Sequence, residues 1–351
     1  MKLRMAFVGF RHGHILDLYK RARESDRIEV VAACEEDGAA REKVAAEGVA
    51  RITHSNYGRM LDEVDCDAVA VGDYYAARGG RIEEALRRGR HVLTDKPPCI
   101  RHDELDRIEA LVRGKGLKLG CMFDSRDLAQ FLGLRALLRE GVVGDVHAVV
   151  IGGQHPLLRG ARPGWYFEEG KHGGTINDIA IHVFDFIPWL TGLELETVEA
   201  ARCWTAFAAG TPMKDAGQFM ITLSNGAGLM GEVSYFLPDS LGYANPLYWR
   251  TTVFGRKGIL ETAYNAASIA AQLDGRKEVE SRPLPAADPG GYLRAFLADV
   301  RGEARPDAMS TEGVLRAARV ALTVQEAADR GLRGVSLRGK GNAMESPRPA
   351  G

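Results

Sequence analysis

In the first third of the chain, short apolar runs alternate with stretches of helical periodicity, and this alternation constrains the fold more than any other feature. The runs Arg4–Gly9, Ile28–Cys34, Ala68–Gly72, His91–Thr94 and Lys118–Met122 predict strands. Between the first two, Ile15, Leu18, Tyr19 and Ala22 recur at i, i+3, i+4 and i+7, the spacing of one helical face. Leu105, Ile108, Leu111 and Val112 repeat it between the last two. Strands separated by helices need crossover connections, so the pattern predicts a doubly wound parallel sheet. Ligands of such sheets bind beyond the carboxyl ends of the strands.

After Phe123 the texture changes. A helix is expected over about Asp127–Arg139, a strand over Asp145–Gln154, and a long helix over Gly174–Leu190. Consecutive strands then follow, with Phe219–Ser224 and Leu229–Phe236 joined by Asn225-Gly226, a strong hairpin signal. Further strands are predicted at Arg250–Phe254, Ile259–Ala263 and Ser268–Leu273, and a late helix at Thr311–Asp329. The reading is an α/β Rossmann domain over residues 1–122, an α+β domain with a largely antiparallel open sheet over 123–338, and a flexible tail over 339–351. A length of 351 residues agrees with two domains.

Composition narrows the function. Forty-six basic against 47 acidic side chains leave a net charge of −1, so no charge excess recruits nucleic acid or an anionic membrane. The most apolar stretch, Ile179–Leu193, contains His182, Asp185 and Pro188 and is too short and too polar to span a bilayer. The N-terminus runs directly into a strand and does not read as a signal peptide, which makes the cytoplasm the expected location. Five scattered cysteines without a Cys-x-x-Cys pair argue against a disulfide framework or structural zinc.

The turn after the first strand reads Gly9-Phe10-Arg11-His12-Gly13-His14, where a dinucleotide fingerprint would be Gly-x-Gly-x-x-Gly. Only the first glycine is in place. Arg11 offers a cation for phosphate, and Gly13 is positioned to relieve crowding one residue early. Glu35, 26 residues after Gly9, is placed to bond the adenosine ribose hydroxyls. With Glu36 and Asp37 following, three carboxylates there would repel a 2′-phosphate and so favour NAD over NADP, while Glu36 and Asp37 individually read as a solvated loop. Lys96, in Asp95-Lys96-Pro97-Pro98 near the fourth strand's end, can present its ammonium to a reacting oxygen. Asp178 and His182 are spaced i, i+4 in the long helix, placing both on one face behind Gly173-Gly174. A neutral imidazole suits proton removal from an alcohol, and a neighbouring carboxylate can orient it. Trp165 and Tyr166 either stack on a sugar ring or cover the core. Arg78, Arg81, Arg87, Arg88 and Arg90 read as a solvated helix face broken by Glu83 and Glu84. His12 and His14 with Asp178 lack zinc-type spacing, so no metal is expected.

Together, Lys96-Pro97, Gly173-Gly174 with Asp178-x-x-x-His182, Phe254-Gly255-x-x-Gly258 and the late helix resemble the Gfo/Idh/MocA family of nicotinamide-dependent oxidoreductases, over nearly the whole chain. The resemblance implies a Rossmann domain followed by an α+β domain whose open sheet is used for oligomerisation. It also implies a lysine that positions substrate, here Lys96, and a helix histidine acting as acid/base, here His182, with Asp178 beside it. The departures are Asp95 where such proteins usually have Glu, the degraded glycine fingerprint, and Asp73-Tyr74-Tyr75 followed by Arg78 in place of a Thr-Pro-Asn-like turn and a histidine. The expected cofactor contacts are Gly9, Arg11, His12, Glu35, Asp73 and Lys96; the expected substrate contacts are Lys96, Trp165, Tyr166, Asp178 and His182. The expected function is an NAD-dependent dehydrogenase acting on CH–OH groups of a sugar, polyol or related small molecule, assembled as a dimer or tetramer. The alternative is a catalytically silent NAD-sensing regulator on the same fold.

Overall fold

The computed structural model describes residues 1–338, so the expected tail at 339–351 lies outside the described residues. The chain begins with β1 (Leu3–Val8), α1 (His14–Glu24), β2 (Ile28–Cys34), α2 (Gly38–Glu47), α3 (Tyr57–Glu63) and β3 (Ala68–Val71). It continues through α4 (Tyr75–Arg87), β4 (His91–Thr94), α5 (His102–Lys115) and β5 (Leu119–Cys121). These strands form a parallel sheet in the order β2-β1-β3-β4-β5. All four residues of β3 are buried, as befits a strand covered on both faces. The order reverses between β1 and β3, so a ligand crevice opens where Gly9 follows β1 and Asp73 follows β3.

The second half comprises α6 (Ala129–Arg139), β6 (Val146–Pro156), α7 (Ile181–Thr191), β7 (Leu195–Trp204), β8 (Ala216–Leu223) and β9 (Gly228–Leu237). Next come β10 (Thr251–Gly255), β11 (Gly258–Thr262), β12 (Ile269–Leu273), β13 (Glu280–Arg282), α8 (Gly291–Arg301), α9 (Thr311–Arg330) and β14 (Val335–Ser336). Nine strands pair in the order β13-β12-β11-β10-β6-β9-β8-β7-β14, antiparallel except for β6 with β9. The turn between β8 and β9 sits at Asn225-Gly226, with Gly226 left-handed at φ 84°. α7 and α9 pack behind this sheet, and α8 and α9 return to β5 of the first sheet. Leu119 N–H of β5 donates to Thr311 Oγ1 at the start of α9, tying the two sheets' layers together.

The long helix expected at Gly174–Leu190 is not regular. Residues Ile176–Ala180 form a π-helical turn that precedes α7. Gly173 and Gly174 both adopt left-handed φ, at 77° and 97°, which turns the chain sharply into this segment. Gln325 Oε1 from α9 accepts the Ile176 and Asn177 N–H groups at 3.0 and 3.2 Å, so a tertiary partner satisfies donors that a helix start leaves open. π turns of this kind are frequent at functional sites.

Candidate active site

Lys96 leaves the end of β4 and is 4% exposed. Its Nζ donates to Asp178 Oδ1 at 2.8 Å and to the Asp178 carbonyl at 3.0 Å. Tyr235 of β9 donates its hydroxyl to Asp178 Oδ2, and His172 Nε2 lies 3.4 Å from the same oxygen. Burial alone would raise the Asp178 carboxyl, but the Lys96 ammonium and His172 hold it well below the ordinary carboxylate range. Burial and the Asp178 charge push the Tyr235 phenol up, which keeps it a donor.

His182 lines the same cavity, of about 460 Å³, as Lys96 and Asp178. The expected pairing of His182 with Asp178 is not present, because the Asp178 oxygens are taken by Lys96, Tyr235 and His172. Among the described residues the nearest carboxylate to His182 is Asp124, with Oδ1 3.9 Å from Nδ1, and His182 Nδ1 has no hydrogen-bond partner. Burial, and secondarily the Lys96 charge, hold the imidazole well below its ordinary pKa, so it is neutral at neutral pH. Its ring packs edge-on against Trp249, a non-glycine residue with φ of 55°. His155 of β6 also faces this cavity, with Nε2 3.2 Å from the Tyr248 hydroxyl.

A second network occupies the cofactor side. Gly9 is left-handed at φ 79°, and a Cβ there would overlap Asp73, itself left-handed at φ 80°. Arg11 straddles this close approach, with Nε 2.7 Å from Asp73 Oδ1 and Nη2 donating to Oδ2 at 2.8 Å. The start of α1 has no side-chain cap, which leaves its first amides for an anion. The switch point between β1 and β3, the Arg11 cation and the uncapped helix together fit a dinucleotide pyrophosphate. Among the described residues a Cβ on Gly13 would meet nothing within 4 Å, so the chain itself does not require glycine there.

Glu35 departs from expectation. It is fully buried, and its oxygens accept Phe10 N–H at 2.5 Å and Asp37 N–H at 2.8 Å, so it braces the β1 turn from within. The outward carboxylate is Glu36, which binds Arg81 Nη2 at 2.9 Å. The basic run of α4 is not uniformly solvated. Arg78 is fully buried, its Nη2 2.6 Å from Asp95 Oδ2 and its Nη1 donating to the Lys96 and Pro97 carbonyls. It thereby fixes the backbone that carries Lys96.

His12 Nδ1 lies 2.5 Å from Asp95 Oδ2, and His12 Nε2 is 3.0 Å from the Tyr166 hydroxyl. His14 Nδ1 is 3.2 Å from the other Asp95 oxygen, so His12, His14 and Asp95 form a cluster that reading by sequence spacing does not foresee. The Arg78 guanidinium already occupies Asp95. Trp165 and Tyr166 stack on each other at 4.0 Å, and Trp165 Nε1 donates to the Arg11 carbonyl. Trp165 thus covers the cofactor turn, while Tyr166 lines the cavity. Arg78, Asp124, His155, His172, Tyr235 and Trp249 were not singled out by sequence as site residues. Of these, His172 adjoins Gly173-Gly174, and Arg78 stands as a departure where similar proteins have a histidine.

A parallel sheet with its crevice at Gly9 and Asp73, joined to a cavity holding a buried lysine and a neutral histidine, defines an NAD-binding oxidoreductase. The chain belongs to the Gfo/Idh/MocA family: residues 3–123 match the oxidoreductase family's NAD-binding Rossmann fold and residues 131–261 its GFO/IDH/MocA C-terminal domain. It is 26% identical over 204 residues to oxidoreductase YrbE of Bacillus subtilis (strain 168), a match spanning 58% of this chain and 57% of that protein. It is 26% identical over 251 residues to the rhizopine catabolism protein MocA of Rhizobium meliloti, spanning 70% and 74%. Among solved structures, the aldose-aldose oxidoreductase of Caulobacter crescentus, complexed with glycerol, superposes with a TM-score of 0.76 at 23% identity, covering 96% of this chain and 100% of that one. The WlbA dehydrogenase of Bordetella pertussis, in complex with NADH and UDP-GlcNAcA, gives 0.74 at 21% identity, covering 95% and 98%.

Proposed function

We propose that this NAD-dependent oxidoreductase moves a hydride between nicotinamide and a hydroxyl-bearing carbon of a sugar, polyol or related small molecule. The observation that carries the reading is the buried Lys96 ammonium, 2.8 Å from Asp178, on the same cavity as an imidazole that is neutral and lacks a partner at Nδ1. When bound, NAD supplies the carbon that exchanges the hydride. His182 accepts the hydroxyl proton. Lys96 donates to the same oxygen and stabilises its developing negative charge in a site from which water is largely excluded. Asp178 holds the ammonium in place, a positioning role, and Tyr235 and His172 fix Asp178 in turn. Gly9, Arg11 and the start of α1 hold the pyrophosphate. In this reading residues 1–122 carry the cofactor, and 123–338 supply the substrate cavity and the oligomer contacts. Names such as aldose-aldose oxidoreductase and inositol 2-dehydrogenase among its relatives support the substrate class.

The test is a panel of sugars and polyols supplied with NAD, followed by the absorbance of the reduced nicotinamide. Turnover that Lys96→Ala abolishes is the expected result. Tight NADH binding without turnover across the panel would leave the regulator in its place.

A further inference from the structure

The arginines drawn furthest into the fold are matched by carboxylates: Arg78 by Asp95 at 2.6 Å, Arg81 by Asp73 at 2.6 Å and Arg126 by Asp185 at 2.7 Å. Arg162 is not. It lines the Lys96 cavity, and among the described residues no carboxylate lies within 4.0 Å of it. Its Nε donates to the Leu157 carbonyl at 2.9 Å and its Nη2 to the Pro156 carbonyl at 2.7 Å. Its guanidinium carbon stands 4.6 Å from the Tyr166 ring centroid and 4.9 Å from that of Tyr235. Two of its five donors are therefore used to hold the fork still, and the Nη1–Nη2 edge is left with no charged partner, the Tyr243 hydroxyl being its other neighbour in the cavity. Such an edge matches two oxygens of a carboxylate or phosphate. The carboxylates that line the cavity lie more than 4.0 Å from Arg162. Tyr235, beneath Arg162, reaches Asp178 with its hydroxyl, whereas Asp124 stands on the His182 side, and Asp127 lines the wall there. Arg21 lines the cavity as well, but among the described residues that line it only Arg162 is both held still by backbone carbonyls and left without a carboxylate, so it is the fixed cation for an anionic substrate to meet.

We propose that the substrate is an acidic carbohydrate whose carboxylate or phosphate is held by Arg162 while its hydroxyl-bearing carbon lies at Lys96 and His182. The proposal rests on the dehydrogenase reading above and adds the charge of the substrate to it. Arg162 binds and orients; it takes no part in proton or hydride transfer.

The experiment compares matched hexoses, their uronates and their terminal phosphate esters, in the gluco, galacto and manno series. The full chain is assayed with NAD as wild type, Arg162→Met, Arg162→Lys and Arg21→Met, the last removing the cation at the opposite end of the cavity. The wild type is expected to favour an acidic member over its neutral partner by about 10² in kcat/KM, the scale of losing one partner of a charged hydrogen bond. Arg162→Met is expected to collapse that ratio towards one, mainly through KM, and Arg162→Lys to restore part of it. Which acid is preferred distinguishes carboxylate from phosphate. A wild type without acid preference, a ratio unchanged in Arg162→Met, or a collapse in Arg21→Met instead would overturn the proposal. If nothing turns over while NADH binds, the dehydrogenase reading fails separately. Calorimetric binding of the uronates and phosphate esters to the NADH-loaded protein then decides Arg162: binding weakened at least tenfold in Arg162→Met supports it, and equal binding overturns it.

Discussion

At the scale of single residues, the proposed chemistry rests on Lys96 and His182, and burial sets the protonation state of the imidazole. Lys96→Ala and His182→Ala are each expected to lower kcat by about 10² or more, and the double variant by clearly less than the product, because groups acting on one hydroxyl are not additive. Steady-state kinetics checks both. Asp178→Asn is expected to cost folding stability as well as turnover. It weakens the partner of a buried ammonium, and breaking such a pair outright costs roughly 3–5 kcal/mol; thermal unfolding reads that loss. The pH dependence follows from burial. Since the His182 pKa is held well below its ordinary value, the imidazole accepts a proton throughout the neutral range and becomes protonated only at acid pH. Alcohol oxidation should therefore show no ionisation from His182 between about pH 6.5 and 8 and should fall only below it. A kcat profile with an imidazole-like step near pH 7 would contradict this. Cofactor choice belongs to the same scale. Glu36, outward and beside Arg81, is the carboxylate in place to repel a 2′-phosphate. NADH is expected to bind about tenfold or more tightly than NADPH, roughly 1.4 kcal/mol. In calorimetric titrations Glu36→Ser should narrow that gap, whereas Glu35→Ser should chiefly lower thermal stability by freeing the buried Phe10 amide and the part-buried Asp37 amide.

At the scale of elements, the π turn before α7 places Asp178 in the cavity, and its geometry is imposed from outside. A Cβ on Gly174 would overlap the Gln325 side chain, and its φ of 97° suits glycine alone. Gly174→Ala is expected to cost at least about 1–3 kcal/mol for the backbone strain. Gln325→Leu leaves the Ile176 and Asn177 donors unpaired at about 1–3 kcal/mol for each group stranded. Denaturant unfolding measures both. The two losses should not add when combined, since the substituted side chains meet. Sequence periodicity places a helix here correctly and misses its first turn, because the pattern of apolar side chains does not record where backbone donors find partners.

At the scale of the whole molecule, the outer face of the nine-stranded sheet carries an exposed apolar row. Met220 pairs directly with Met230, and Met230 with Val150, making a row across three adjacent strands that is 52%, 52% and 37% exposed. Phe254 on β10 is 37% exposed. Faces of this kind mark interfaces. The chain is expected to form a symmetric dimer or tetramer in which this face is covered. Light scattering should give a multiple of 38.2 kDa, and Met220→Glu with Met230→Glu should shift it towards the monomer.

Much of this architecture was legible in the sequence because it is written at short range. The strand and helix periods of the first sheet, the Asn225-Gly226 hairpin, the position of Lys96 at a strand end and the spacing of Asp178 and His182 each occupy a few consecutive residues. What only the tertiary structure decided lies between distant ones. The Lys96–Asp178 pair spans 82 positions, the Tyr235 bond to Asp178 spans 57, and the Phe10 amide that turns Glu35 inward stands 25 residues away. A side chain's role is set by whichever partner packing brings to it, and a buried group takes that partner because leaving its hydrogen-bonding capacity unmet costs more than the alternatives.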